Sequence, residues 1–180
     1  MLKRLKKLST EVAHANPWWE YRHDRYVRPD DEEGEYYYVH TRGSVVVIPE
    51  MDDGKLFMTR QFRYLNQRES FEFIGGGVKP GASYLESAKD ELLEEGGFES
   101  AAMMLLGRFN PFNGATDEIC EVYVARKLKK RGARPEGSEE FEEHTLSITE
   151  IEALIKNGEL WDGMSIAAFM LYKLRVLDKV

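Results

Sequence analysis

The 180-residue chain carries one cysteine, Cys120, so no intramolecular disulfide can form and a disulfide-stapled scaffold is excluded. Long hydrophobic runs are missing too. The longest, at 45–49 and 101–106, fall far short of the ~20 apolar residues a membrane-spanning helix needs, so no membrane partner is expected. Positive charge is in deficit, with 25 Lys and Arg against 32 Asp and Glu and a net charge of −7, which disfavours a nucleic-acid partner. The basic start Met1-Leu2-Lys3-Arg4-Leu5-Lys6-Lys7 is followed by the polar stretch 9–14 instead of an apolar one. Secretion is therefore not expected, and the cytoplasm is the expected location. His14, His23, His40 and His144 lack zinc-ligand spacing. There is no G-x-S-x-G elbow, no Walker loop and no internal repeat. What remains is a globular composition, 42% hydrophobic and 32% charged, long enough for one domain or a domain with a small appendage.

Residues 17–42 are β-like and aromatic, with Trp18, Trp19, Tyr21, Tyr26, Tyr36, Tyr37 and Tyr38 broken by the turn-forming stretch 29–34. Trp18 and Trp19, if on a strand, face opposite ways. Segments 44–48 and 55–60 flank Met51-Asp52-Asp53-Gly54, an Asp-Gly hairpin signal. Strands are expected at 102–109 and 119–126, with Cys120 as a small buried hydrophobe. Three helices follow from spacing. The first has Ser83 and Glu86 as a capping box, Leu85, Ala88 and Leu92 as its apolar side, and an end near Gly96-Gly97. The second begins at Thr149 with Glu152 as box partner, buries Ile151, Leu154 and Ile155, and stops at Gly158. The third runs from about Met164 to Leu177 with Ile166, Phe169, Met170, Leu174 and Leu177 on one side. Strands interleaved with helices predict a mixed β-sheet packed between helices.

The chemistry concentrates in GGVKPGASYLESAKDELLEEGGF, residues 76–98. On a helical wheel Glu95 lies roughly 40° to one side of Glu91 and Glu94 roughly 60° to the other. Like charges four apart destabilise a helix, and a hard divalent cation would offset that. The alternative is a solvated acidic face. The glycine-rich loop just before the helix favours a ligand, since glycines let backbone approach closely and helix N-terminal amides meet anions.

This segment resembles the box of the Nudix hydrolases, G-x5-E-x7-R-E-U-x-E-E-x-G-U with U apolar. Gly76, Glu91, Leu92, Glu94, Glu95, Gly97 and Phe98 fall in register, while Ala82 replaces the pattern's Glu and Asp90 its Arg. Asn16-Pro17-Trp18-Trp19, Arg60-Gln61-Phe62-Arg63-Tyr64, Glu72-Phe73-Ile74-Gly75-Gly76, the stretch 114–118 and the stretch 162–168 resemble the branch that cleaves ADP-ribose and other nucleoside diphosphate sugars. Asn113 stands where ADP-ribose enzymes usually carry Pro, which favours the broader substrate class.

The resemblance implies an α/β fold, the Nudix α/β/α sandwich with a mixed β-sheet over 43–180, preceded by an N-terminal β-arm over 1–42. It implies hydrolysis of a nucleotide-sugar diphosphate with Mg²⁺, Mn²⁺ being its substitute. Glu91 and Glu95 would be metal ligands together with the Gly75 carbonyl, and Glu94 stands beside them as a catalytic candidate. A further Glu is expected on the acidic loop 136–143, with Glu139 and Glu140 as the candidates for base or metal ligand. Arg60, Arg63 and Glu72 are assigned to the substrate; for the two arginines, phosphate contacts and surface ion pairs both fit. Trp18 and Trp19 would stack on a nucleobase, or else pack in the arm or at a dimer interface. The expected assembly is a homodimer in which the arm of one chain completes the other's site. Because Ala82 and Asp90 depart from the box, a non-catalytic nucleotide-sugar binding protein is the rival reading. A pyrophosphatase that cleans up nucleoside triphosphates fits the box equally well.

Overall fold

The computed structural model describes residues 2–133 and 140–178, and its contacts divide the chain into two units. The first comprises Met1–Gly43 and Asn110–Ile119. Its strands β1 (Lys6–Ala15), β2 (Glu20–Val27) and β3 (Glu33–His40) form an antiparallel sheet in the order β1-β2-β3. β1 was not anticipated: its basic and polar residues carry no apolar alternation, and all of them are exposed. The segment 110–119 joins β3 through Val39 N–H to the Ala115 carbonyl (2.9 Å), the Tyr36 hydroxyl to the Gly114 carbonyl (2.9 Å) and His40 to Asp117 (2.7 Å).

The second unit comprises Ser44–Phe109 and Cys120–Val180. It holds β4 (Ser44–Pro49), β5 (Leu56–Arg63), β6 (Arg68–Glu72), β7 (Ile74–Gly77), α1 (Tyr84–Glu94), β8 (Phe98–Phe109), β9 (Cys120–Lys130), β10 (Glu142–Leu146), α2 (Ile148–Asn157) and α3 (Gly163–Tyr172). One sheet runs β7-β4-β9-β8, with β4 and β9 parallel and the other pairs antiparallel. The other runs β10-β5-β6. Strand parity divides the core. Val45, Val47, Phe57, Tyr123 and Ala125 pack with Ala88 and Leu92 of α1, while Val46, Ile48, Leu56, Met58, Val122 and Val124 pack with Ile151, Ala168, Phe169 and Tyr172 of α2 and α3. A central strand buried on both faces explains why 45–48 is an unbroken β-branched run. This is the mixed sheet between helices that the sequence predicts.

Several local expectations are corrected. The turn at 51–54 forms, with Met51 N–H to the Lys55 carbonyl at 2.8 Å and Gly54 at φ +80°, but β4 and β5 do not make a hairpin. They meet in one bridge, Glu50 with Leu56, and then enter different sheets. α2 is capped two residues earlier than expected, by Ser147 with Glu150, and Glu152 pairs with Lys173 instead. Leu85 is exposed and Ser87 takes the buried position on α1. α3 gives way to a π-helical turn at Lys173–Leu177, and it buries Ser165, Ala168, Phe169 and Tyr172 while Met170, Leu174 and Leu177 are exposed. Trp18 and Trp19 lie in the bend between β1 and β2, not on a strand. Cys120 is buried as expected. Among the described residues, no helix is long and apolar enough to cross a membrane.

Candidate active site

The site grows from the junction of β7 and α1. Ser83 caps α1 by accepting from the Glu86 amide, and the Glu86 carboxylate in turn accepts from the Ser83 amide, so the helix start is fixed locally. From that start the helix brings Glu91 and Glu95 back over the glycines of β7. A Cβ built on Gly76 would stand 2.5 Å from the Glu91 carboxyl carbon. Glycine is therefore required there for the carboxylate to lie against the strand. Glu95 is buried and its carboxylate accepts from the Gly75 N–H at 3.1 Å. β7 is an edge strand, which leaves that amide available to a side chain.

Glu94 turns elsewhere: both its oxygens lie 2.8 Å from the Lys79 ammonium, which is also 3.8 Å from Asp90. The Lys79 amide donates to the Oγ of buried Ser87 at 3.1 Å. Burial opposes the Lys79 charge, but the Glu94 bond and the charges of Glu94, Glu91 and Asp90 outweigh it and raise its pKa.

Arg63 and Glu72 form a second cluster. Arg63 Nε donates to one oxygen of buried Glu72 at 2.8 Å and a terminal nitrogen donates to the other, while Gln61 reaches the same carboxylate at 3.3 Å. The bond to Glu72 is the main reason the Arg63 pKa is raised; burial opposes it, and the charges of Glu72, Asp162 and Glu95 add to it. Asp162 caps α3 at the Ser165 amide, and Ser165 Oγ accepts from the Phe73 amide at 3.0 Å. The structure thus brings Arg63, Glu72, Glu95 and Asp162 within electrostatic reach of one another.

Arg60 does not join them. Positions 60 and 63 are an odd number of residues apart, so on β5 they face opposite ways. Arg60 pairs with Glu69 and Glu142, lies 5.7 Å from the Phe71 ring centre and lines a cavity of about 160 Å³ with Arg68, Ser70 and Glu159. Arg60 thus makes ion pairs, one of the two arrangements that fit it from the sequence. Glu139 lies outside the described residues. Glu140 is exposed, two residues before β10. Glu142 and Glu143, expected in a loop, begin that strand, and Glu143 pairs with Lys130 at 2.8 Å. In the first unit, Trp18 is 74% exposed and Trp19 38%, with Asn16 accepting from both their amides and the Trp19 ring 5.8 Å from that of His14.

Sequence reasoning missed Lys79, Gln61 and Asp162, whose contacts join distant segments, and a row across the sheet. Gly76 pairs with Val45, Val45 with Glu121 and Glu121 with Arg108. Glu121 is buried and accepts from Arg108 at 2.8 Å and from the Tyr123 hydroxyl. Burial first, and that bond second, push the Tyr123 pKa upward.

No group of three or more His, Cys, Asp or Glu side chains able to hold a metal occurs among the described residues. A pair of carboxylates beside a glycine strand is a different donor set. It fits a hard cation such as Mg²⁺, which is commonly held by one or two carboxylates plus substrate phosphates and retains several waters.

Comparison with known proteins supplies the remaining findings. The family model described as "NUDIX domain" matches residues 39–169. A Bacillus subtilis (strain 168) protein named ADP-ribose pyrophosphatase is 27% identical over 135 residues, 74% of this chain and 73% of that one. A Bacillus methanolicus protein named methanol dehydrogenase activator is 32% identical over 136 residues, again 74% of this chain and 73% of that one. A crystal structure described as an ADP compounds hydrolase has a TM-score of 0.84 at 18% identity, covering 100% of this chain and 99% of that chain, a likeness of fold.

Proposed function

Because this chain belongs to the NUDIX family and is a hydrolase of that family, we propose that it cleaves the diphosphate bond of a nucleoside diphosphate sugar, ADP-ribose first, with Mg²⁺. The observation that carries the reading is the pair Glu91 and Glu95, laid against Gly76 and Gly75. These two carboxylates would hold the cation. When bound, it supplies positive charge against the diphosphate oxygens. In the reaction a water oxygen bonds to one phosphorus as the bridging P–O bond breaks, giving a nucleoside monophosphate, a sugar phosphate and a proton. Arg63, with Nε and one terminal nitrogen committed to Glu72, keeps further N–H donors for a phosphate oxygen. Glu140 or Glu139 takes the proton of the attacking water in this reading.

Incubation of the pure protein with ADP-ribose, GDP-mannose and ADP-glucose, with and without Mg²⁺, tests it. Monophosphate release that needs the cation is expected; none from any of the three, with Mg²⁺ or Mn²⁺, would refute it. Glu140→Gln and Glu139→Gln, compared for kcat at saturating substrate, identify the base.

The homodimer belongs to the same proposal. The first unit exposes β1 along its whole length, and Leu8, Val12, Trp18, Tyr21, Tyr36 and Tyr37 are all more than a third exposed. That is an unusual load of apolar and aromatic surface for a three-stranded sheet. Residues 1–42 are accordingly read as a dimerisation arm and 43–180 as the hydrolase domain. Trp18 and Trp19 are offered as base-stacking rings, so their alanine variants should raise KM and spare kcat. A monomer mass by light scattering at micromolar concentration would remove the dimer. A single, buried cysteine, Cys120, suits a reducing compartment, and the cytoplasm is part of the same reading.

A further inference from the structure

We propose that Lys79 is the counter-cation of the acidic end of α1, a positioning residue that supplies from the loop the positive charge that the last turn of the helix lacks. Asp90, Glu91, Glu94 and Glu95 put four carboxylates into the last six residues through the C-cap, and the last turn of α1 contains no basic residue. The helix dipole makes this end worse for negative charge, not better. Asp90 stands where the box pattern has its cation, so the charge has to come from elsewhere. Lys79 brings it across the loop, with its ammonium 2.8 Å from both Glu94 oxygens and 3.8 Å from Asp90. The placement is built and not incidental: the Lys79 amide is fixed to buried Ser87 of α1 itself at 3.1 Å, and the Lys79 carbonyl closes a turn with the Ala82 amide at 3.1 Å. Ala82, the other departure from the pattern, therefore lies in the turn that delivers the lysine.

Two consequences follow. Glu94 is engaged by Lys79, so it serves neither as base nor as metal ligand while that pair holds. The divalent cation falls to Glu91 and Glu95, whose geometry Lys79 preserves before any metal arrives.

The inference rests on the reading of Glu91 and Glu95 as the cation-holding pair, and the test separates the two. Thermal unfolding of the full chain is measured in chelator and in excess Mn²⁺, without substrate. Lys79→Met should lower the midpoint in chelator by about 2–4 °C and lower it much less in Mn²⁺, because the bound cation then supplies the missing counter-charge. Lys79→Arg should restore the wild-type midpoint in chelator, and so should Lys79→Met with Glu94→Gln, which removes the repulsion. Equal losses in chelator and Mn²⁺ would mean plain loop packing, and no loss in chelator would mean no role; either overturns the proposal, as does failure of both rescues. Glu91→Gln is the control for the site itself. If that variant keeps the full Mn²⁺-dependent rise, the cation reading fails whatever Lys79 does; if it loses the rise while Lys79→Met behaves as wild type, only the lysine proposal fails.

Discussion

Gly76→Ala isolates the placement of one carboxylate from the stability of the fold. Gly76 has no positive φ, so alanine meets no backbone strain there, and the lower entropy of the unfolded chain would ordinarily favour it by about 0.4–1 kcal/mol. The added methyl, however, would stand 2.5 Å from Glu91 Cδ and Oε1 and 2.9 Å from Oε2. Ordinary contact needs about 3.5 Å, so the carboxylate must move by about 1 Å. It sits at the flexible end of a half-buried side chain, and the move costs little stability. Function is more sensitive, since a misplacement of about 1 Å can cost on the order of 100-fold in rate. The expected result is a change in unfolding free energy within about 1 kcal/mol, with Mn²⁺ affinity and turnover falling on the order of 100-fold. Gly77→Ala is the paired control, because nothing lies within 4 Å of its Cβ. Urea melts, calorimetric Mn²⁺ titration and monophosphate release measure the three quantities. A folded Gly76→Ala protein with wild-type cation affinity and turnover would refute the argument that Glu91 must lie on this glycine.

The remaining predictions concern the frame around the site. Gly97→Ala should cost about 3 kcal/mol or more in a urea melt, because Gly97 has φ +66° and its new Cβ would meet Ala133 N at 2.4 Å and Gly132 C at 2.7 Å, backbone that cannot turn aside. Arg63→Ala should destabilise by roughly 1–3 kcal/mol, since it strips the bidentate partner from buried Glu72, and adding Glu72→Gln should recover much of the loss. Equal stability of the single and double variants would show that Glu72 does not need the arginine. Asp24 of β2 is buried beside Lys7 at 2.5 Å; burial opposes its charge, but the bonds from Lys7 and Thr10 outweigh that and hold its carboxyl below the usual carboxylate range. A depressed carboxylate stabilises the fold above its unfolded pKa and loses that contribution as pH falls through the folded one. Stability followed by tyrosine fluorescence should therefore drop below about pH 4, and Asp24→Asn should flatten that limb; an unchanged acid slope would count against it.

What the sequence determined by itself was settled over a few residues. The α1 cap needs Ser83 and Glu86, three apart, and both bonds form. Gly158 ends α2 at φ +78° because few other residues adopt that conformation readily. The run at 45–48 is apolar on both faces and becomes a central strand. The box register put Glu91 and Glu95 on a helix behind glycines, since helical spacing is local. Tertiary structure decided whatever depends on which segments meet. The Asp-Gly turn closes at 51–54 whether or not β4 and β5 pair, and it is the competing partners β7, β9, β6 and β10 that separate them. Both Ser147 with Glu150 and Thr149 with Glu152 spell a capping box; the second is not used, and Glu152 instead meets Lys173, twenty-one residues away. Leu85 and Ser87 exchange the burial that hydrophobicity alone assigns, because Ser87 Oγ is needed by the Lys79 amide. Arg60 and Arg63 are neighbours in sequence and strangers in space, while Lys79 and Glu94, fifteen residues apart, are in contact. Local rules fix how a segment is shaped, and the pairing of charges is fixed by the packing that brings the segments together.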